Sequence, residues 1–280
     1  MTSSHDPGSQ RLGLSFDQIG VLDLPGVRRY TPAALDLPPC DHLEPEVLAV
    51  ARRGWEDRLR SEYVGVMVMR KFHGLLVDLN APMDLQEVAL ILTLQEQSHT
   101  RLCADIADHL GSDNHLGFEL EELQQARSGE PLDEQLWSML LGTFICGEGI
   151  AFELLKFCLK RLPKTPYTEA LRAIARDEVL HATLGLKLLD KLRRHPSAWI
   201  DYPGDAWVTK RLRAQLTAMR GRDVVEHDEA RFFEVPNAAT ELEALGIPDS
   251  RAFVRCYHEA IDDAIPSQLA TLGIDLNRGS

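Results

Sequence analysis

Two Glu-x-x-His motifs, each in the middle of a long helical pattern, constrain the fold of this chain more than any other feature. The first runs from Glu96 to His99 and the second from Glu178 to His181. Apolar residues recur at alternating steps of three and four on both sides of each motif, so each motif lies on the face that a helix would bury. Two other helical patterns carry a single glutamate at mid-length, Glu62 and Glu148. We therefore expect long helices whose buried faces share acidic and imidazole side chains.

End signals give the limits of these helices. Proline near the starts and glycine or proline after the ends are typical of helix boundaries. A linker of about twenty residues between the second and third helices is long enough to cross the length of a bundle. The sequence therefore predicts an all-α fold, a four-helix bundle with a long crossover. The expected helices cover residues 44–79, 84–111, 131–162 and 166–195.

The rest of the chain falls on either side of this bundle. Residues 1–43 are rich in Pro, Gly and Asp without a sustained period, which indicates an irregular N-terminal arm. Residues 44–195 form the expected bundle. Residues 196–280 carry two more helical patterns, at 204–233 and 249–264, and are expected to pack on the bundle as a C-terminal helical extension.

Composition disfavours several classes of partner. With 43 acidic and 30 basic side chains the net charge is −13, which repels nucleic acid and anionic lipid. The apolar runs are short compared with a membrane span, and the N-terminus lacks a signal-peptide pattern. The five cysteines show no Cys-x-x-Cys spacing, so neither a disulfide framework nor a thiolate iron site is expected. We expect a cytoplasmic protein with no nucleic-acid or membrane partner.

The buried glutamates and histidines predict a metal site. Burying four carboxylates costs several kcal/mol each unless something neutralises them, and two divalent cations balance four negative charges. A Glu and a His three residues apart lie about 60° apart around a helix and about 4.5 Å apart along it, so both can reach one ion. Carboxylate and imidazole ligands without thiolate favour iron or manganese over zinc. The predicted ligands are Glu62, Glu96, His99, Glu148, Glu178 and His181.

The order Glu, Glu-x-x-His, Glu, Glu-x-x-His over residues 44–195 resembles the diiron-carboxylate branch of the ferritin-like superfamily. The resemblance implies a ferritin-like bundle that holds two iron ions, with manganese or a mixed Mn/Fe pair as the alternative. In that branch the Glu of each motif bridges the two ions, each motif's His ligates one ion, and the lone glutamates are terminal ligands. The bridging role would fall here to Glu96 and Glu178.

Residues beside the motifs refine the resemblance. It implies that Asp177 hydrogen-bonds the imidazole of the opposite motif, while Gln95 holds the matching place in the first motif and could equally be an ordinary polar residue on the helix flank. Cys103 stands where the ribonucleotide reductase small subunit usually carries its radical tyrosine, so that role is not expected. Ile174 stands where arylamine N-oxygenases of the superfamily carry an extra histidine ligand, which disfavours that subfamily as well.

Small and apolar residues near the motifs leave two interpretations open. Gly147 and Gly149 flank Glu148 and weaken the helix, either to give Glu148 room to move or to allow close helix packing. Apolar neighbours on the same stripes could line a substrate pocket or belong to the ordinary core. The pocket candidates are Val66, Met69, Phe144, Ala151, Phe152 and Gly185.

These features favour a diiron-dependent oxygenase or oxidase that activates dioxygen to oxidise a small organic substrate. The alternative is an iron-handling protein, a ferroxidase or peroxide scavenger similar to ferritin or rubrerythrin. The long flanking segments suit a substrate lid, although they could equally form the subunit interface of a homodimer. Because no flavin, nicotinamide or iron–sulfur motif is present, an external electron donor is expected.

Overall fold

The computed structural model describes residues 35–113, 118, 128–221, 235 and 237–276. Within these residues every regular element is a helix, which confirms the all-α prediction. The described residues form seven helices. They are α1 (Pro45–Asp78), α2 (Met83–His109), α3 (Leu132–Arg161), α4 (Pro166–Arg194), α5 (Asp205–Arg220), α6 (Ala239–Ala244) and α7, which runs without a break through Ser250–Glu259, Ala260–Ala264 and Ile265–Thr271.

The four long helices α1 to α4 pack together and are called here the four-helix core. Helix α1 packs along α2, α3 packs along α4, and α2 also contacts α4, while the start of α3 contacts α1. Short connections join α1 to α2 and α3 to α4, and short connections make neighbouring helices antiparallel. Helix α4 begins with a capping box in which Thr165 and Thr168 bond each other's backbone N–H groups, next to Pro166 in the first turn.

Apolar side chains fill the four-helix core in two layers. One layer contains Phe72, Leu92 and Leu189, and the other contains Leu59, Leu102 and Leu171, together with their neighbours. On α2 and α4 the two layers are separated by buried polar side chains. These are Gln95, Glu96, Ser98, His99, Thr100, Glu178 and His181. The middle of the four-helix core is therefore polar, whereas both of its ends are apolar.

Helix α3 is irregular in its central part. Residues Leu140–Gly147 form a π-helical segment that ends directly before Glu148, and α7 has a second π-helical segment, Ala260–Ala264, that ends directly before Ile265. π-Helical turns are rare, and they are frequently found at functional sites. The wider turn changes the direction in which the following residues point, which bears on how Glu148 is placed.

The C-terminal helices pack on α3. Helix α5 contacts the π-helical segment of α3, and α7 contacts the segment that follows it. Arg193, at the end of α4, bonds Asp205 at the start of α5 and the carbonyl oxygen of Leu272 after α7. Helix α7 extends beyond the predicted residues 249–264. Three predicted segments lie partly outside the described residues. They are the helix at 204–233, the N-terminal arm and the crossover, and most of the arm and of the crossover is not described.

Helix α3 has a second property that comes from its composition. By length and apolar content it could cross a membrane, and it is the one helix in the described ranges of which this is true. A helix in the core of a folded protein can have the same length and apolar content, and α3 packs against α4, α5 and α7. Its first half contributes Leu136, Trp137 and Leu140 to the apolar interior.

Candidate metal centre

Each helix of the four-helix core brings acidic or imidazole side chains to the polar middle. Their ligand atoms form two groups, and within each group the atoms lie within 4.8 Å of one another. Glu96 belongs to both groups. The first group is Glu62, Glu96 and His99; the second is Glu96, Glu148, Glu178 and His181. All six predicted ligands therefore lie in one buried Glu/His cluster that could hold a metal ion.

The carboxylate of Glu178 lies between the two imidazoles. Its Oε1 atom is 3.5 Å from Nδ1 of His99, and its Oε2 atom is 3.6 Å from Nδ1 of His181. The two imidazole ring centroids are 6.2 Å apart. One carboxylate thus presents a different oxygen to each histidine.

Other helices contribute a second carboxylate to each imidazole. Oε2 of Glu62 is 3.3 Å from Nδ1 of His99, and Oε1 of Glu96 is 3.2 Å from Nδ1 of His181. Oε2 of Glu148 is 3.8 Å from the same atom of His181. Each Nδ1 atom therefore faces carboxylates from at least two helices.

The outer nitrogen of each imidazole is held by the residue that precedes the opposite motif. Nε2 of His99 is 3.2 Å from Oδ2 of Asp177, and Nε2 of His181 is 3.2 Å from Oε1 of Gln95. Because both partners offer an acceptor oxygen, each Nε2 carries the proton and donates it. When the imidazole is neutral, its lone pair is then on Nδ1, which points toward the carboxylates.

Three buried atoms of the cluster have no hydrogen-bond partner among the described residues. They are Nδ1 of His99, Nδ1 of His181 and Oε2 of Glu178. A buried polar atom without a partner typically costs about 1–3 kcal/mol, so such atoms are rare and need an explanation. All three atoms face the same interior space, and all three are good ligands for a divalent cation. The residues present therefore fit a metal ion.

Burial and neighbouring charges shift the pKa values of the glutamates and histidines around this space. Burial raises the pKa of Glu96 well above its usual value, and the Glu62 and Glu148 carboxylates raise it further. Burial likewise raises the pKa of Glu178. Burial lowers the pKa of His99, but the hydrogen bond to Asp177 and the nearby Glu62 carboxylate outweigh it and raise the pKa to about 9.

The second histidine behaves in the same way. Burial lowers the pKa of His181, while the nearby Glu148 and Glu178 carboxylates outweigh it and raise the pKa to about 9. Without a cation, protons are therefore drawn into the cluster to offset its negative charge. A divalent cation would displace those protons.

Gly65 belongs to the site, although the sequence analysis did not identify it. A Cβ atom at this position would lie closer than 3.0 Å to both carboxylate oxygens of Glu96. Gly65 is three residues after Glu62 on the same face of α1, so α1 supplies one ligand and also makes room for another. The signal in the sequence was a glycine in the middle of a long helix, where it lowers helix stability.

Cys103 and two of the candidate pocket residues are fully buried. Cys103 is fully buried, and burial, with the nearby Glu62 charge, raises the pKa of its thiol well above the usual value, so the thiol is neutral. Met69 and Phe144 are also fully buried, and the Phe144 ring packs at a tilt against the Phe72 ring, with 4.6 Å between centroids. These two pocket candidates are part of the apolar core.

The remaining pocket candidates differ in their surroundings. A Cβ atom on Gly185 would meet Ile145 at 2.8 Å and Cβ of Phe144 at 2.9 Å, so Gly185 allows α3 and α4 to pack closely. Val66, Ala151 and Phe152 are half-buried, and Nζ of Lys156 lies 5.4 Å from the centroid of the Phe152 ring.

The two glycines beside Glu148 also differ from each other. A Cβ atom on Gly149 would lie 2.5 Å from Cδ1 of Ile265, the first residue after the π-helical segment of α7. Gly147 ends the π-helical segment of α3, where its nearest neighbour would be the carbonyl oxygen of Gly142 at 3.4 Å. For Gly149 the structure supports close packing, one of the two interpretations that the sequence left open.

No protein-family model matches the chain, and no curated protein matches it. Fold and site together define an all-helical protein with a buried Glu/His cluster that could hold metal. The residues of the cluster come from four different helices, and its two unpartnered nitrogen atoms belong to His99 on α2 and His181 on α4.

Proposed function

We propose that this protein is a non-haem diiron oxygenase or oxidase with a ferritin-like bundle, in which the Glu/His cluster holds two iron ions. The observation that carries the proposal is the position of Glu178, with one oxygen 3.5 Å from Nδ1 of His99 and the other 3.6 Å from Nδ1 of His181. A carboxylate that presents one oxygen to each of two ligand nitrogens has the arrangement required to bridge two ions.

The number of charges supports two ions rather than one. Four carboxylates carry four negative charges, which two divalent cations balance. Glu96 is shared by both ligand groups, and Glu178 faces both imidazoles, so the carboxylates of the two Glu-x-x-His motifs are the natural bridges. Glu62 and Glu148 each lie near one histidine and are the natural terminal ligands.

The type of ligand supports iron or manganese. Oxygen and imidazole nitrogen donors suit both metals, whereas structural zinc sites commonly use thiolates. The nearby thiol of Cys103 is kept neutral by burial and adjacent negative charge. Bound iron would supply the redox chemistry that reduces dioxygen, which no protein side chain provides.

The protein side chains orient the ligands and exclude water. Asp177 and Gln95 accept hydrogen bonds from the Nε2–H groups and thereby direct both Nδ1 atoms to the interior. The apolar layers on either side of the cluster restrict water. The side chains of Glu62 and Glu148 are 13% and 14% exposed, against 4% and 5% for Glu96 and Glu178. Dioxygen and substrate would therefore approach from the side of Glu62 and Glu148.

The apolar residues beside Glu62 and Glu148 favour an organic substrate over iron storage. Half-buried apolar residues such as Val66 and Ala151 lie one turn along the helix from Glu62 and Glu148, where a small organic molecule could bind. Helices α5 and α7 cover α3, which adds structure that a simple iron-oxidising bundle does not need. The reducing equivalents would come from an external electron donor.

Anaerobic titration with ferrous iron tests the proposal. The wild-type protein should bind close to two irons per chain. The Glu148→Ala variant should bind fewer than about one and a half irons per chain. Glu153→Ala is the matched control, because Glu153 lies on the same helix and pairs with Lys156 instead. A wild-type stoichiometry of one or zero, or equal binding by Glu148→Ala, would refute the dinuclear site.

Addition of excess ferrous iron in air separates the two functions. An oxygenase or oxidase should stop taking up iron near two per chain. Retention of hundreds of oxidised irons per assembly would identify a ferroxidase store and refute the oxygenase proposal, while leaving the two-iron site intact.

A further inference from the structure

The outer face of α2 carries an unusual concentration of exposed apolar side chains. Six large apolar side chains are exposed in the described part of the chain, and four of them are on α2. Their exposed fractions are 67% for Met83, 49% for Leu90, 45% for Ile91 and 49% for Leu94. Soluble proteins rarely leave such a group uncovered unless it binds something.

These side chains form one continuous stripe. Exposed or half-exposed residues follow each other at alternating steps of four and three, which is the spacing of a coiled-coil seam. Leu94 is two residues from Glu96, so it lies about 160° around the helix from that ligand and points away from the metal cluster. This stripe is called the α2 seam. It consists of Met83, Glu87, Leu90, Leu94, Gln97 and Arg101, with Ile91 beside it.

Charges are distributed unequally along the α2 seam. Asp84 and Glu87 lie at its N-terminal end, and the leucines lie in its middle. Arg101 lies at its C-terminal end, with the exposed Asp105 one turn beyond it. A second copy of the seam in parallel orientation would place like charges together. A second copy in antiparallel orientation would place Arg101 of each chain beside the acidic end of the other.

We propose that the α2 seam is a homodimer interface in which two copies of α2 pack antiparallel, with the two-fold axis crossing the outer face of α2 at the level of Leu92 along the helix. This register places Leu90 of one chain against Leu94 of the other and Arg101 within reach of Asp84 and Glu87. The interface is isologous, as expected for a two-fold dimer, because the same residues face each other from both chains. This proposal does not rest on the metal content of the protein.

The length of the α2 seam suits such an interface. From Met83 to Arg101 it extends about 27 Å along the helix. Steps of four and three allow two helices to cross at about 20° and stay in contact over this length. Val77, which is 49% exposed near the end of α1, is joined to Met83 by the short α1–α2 connection and can add to the contact. A stable interface of about 800 Å² per chain is therefore within reach.

Sedimentation velocity on the full-length protein tests the interface. Wild type should sediment as a dimer at micromolar concentration, and the double variant L90E/L94E should sediment as a monomer, with dimer affinity reduced more than a hundred-fold. Val179→Glu is the matched control, because Val179 is 48% exposed on α4 and lies off the α2 seam. Circular dichroism should show the same helix content for all three proteins.

Charge exchange tests the antiparallel register. Arg101→Glu should weaken the dimer, because it places like charges opposite each other. The triple variant D84K/E87K/R101E restores opposite charges in the antiparallel arrangement and should recover most of the lost affinity. A monomeric wild-type protein, or a dimer that L90E/L94E leaves intact, would overturn the proposal. Failure of the triple variant to recover affinity would overturn the antiparallel register.

Discussion

The Cβ atom that Gly65 lacks would lie closer than 3.0 Å to both carboxylate oxygens of Glu96, on the adjacent helix. The backbone of α1 therefore leaves the space that the Glu96 carboxylate occupies. Since this carboxylate is the end of a flexible side chain, a larger residue at 65 would displace it without disrupting the helix itself.

Replacement of Gly65 by alanine should separate stability from metal binding. Alanine raises helix stability by up to about 1 kcal/mol over glycine, so the thermal midpoint should stay equal or rise. Displacement of Glu96 should lower affinity for ferrous iron by about ten-fold or more, a loss typical of disturbed ligand positioning. Parallel thermal denaturation and metal titration measure the two effects.

Gly74→Ala is the control for this prediction. Gly74 is on the same helix, and a Cβ atom there would meet nothing within 4 Å. This variant should gain stability without losing metal affinity. If Gly65→Ala binds metal as tightly as Gly74→Ala, the space beside Gly65 is not required for Glu96 to act as a ligand.

The comparison of Gly65 with Glu178 shows what the sequence could and could not predict. Glu178 was predictable because its motif and the apolar stripe around it are local properties of one helix. The role of Gly65 depends on how closely α1 and α2 approach, which no single-helix pattern contains. The same holds for Gly149, whose neighbour Ile265 is more than a hundred residues away in the chain.

The sequence predicts where the long helices begin and end, but it does not predict where a helix is irregular. The predicted ranges of α1 to α4 agree with the structure within a few residues, because proline, glycine and capping residues determine the helix ends. The π-helical segments Leu140–Gly147 and Ala260–Ala264 were not predicted. A π-helical turn depends on packing against neighbouring helices, so the 3.6-residue period alone does not reveal it.

Asp177 should tune the metal affinity through His99. In Asp177→Asn the Nε2 proton of His99 can still be donated to an oxygen, but the negative charge that makes Nδ1 a stronger ligand is lost. Metal affinity should fall by roughly ten- to hundred-fold with the fold intact. Asp190→Asn is the control on the same helix, because Asp190 pairs with Arg194. Equal metal affinity in both variants would show that Asp177 does not act on the site.

The metal-free protein should lose stability as the pH rises from about 6.5 to 9. The pKa of His99 and the pKa of His181 are both raised to about 9 in the folded chain, against 6.5 for an unperturbed histidine. A raised pKa stabilises the fold below pH 6.5, and this contribution disappears as the pH passes through 9. The raised pKa values of Glu96 and Glu178 act in the same direction.

Chemical denaturation of the metal-free protein at several pH values between 6 and 9.5 measures this loss. Metal binding at pH 7 should release protons, because the cation replaces them, and calorimetry in buffers of different ionisation enthalpy counts the number released. The metal-bound protein should show a much smaller pH dependence than the metal-free protein. Constant or rising stability of the metal-free protein across this range would contradict the titration behaviour described for the two histidines.

The last prediction concerns how the C-terminal helix affects Glu148. Cδ1 of Ile265 occupies the space where Gly149 lacks a side chain, so α7 packs directly beside the residue that follows Glu148. Gly149→Ala should cost about 1–3 kcal/mol through overpacking and should also lower metal affinity, because α3 shifts at Glu148. Ile265→Val removes the crowding methyl group and alone should cost about 0.5–1.5 kcal/mol.

In the double variant G149A/I265V the two changes compensate, so both stability and metal affinity should recover part of the loss. Purely additive effects on metal affinity in this double-mutant cycle would show that α7 does not influence the position of Glu148.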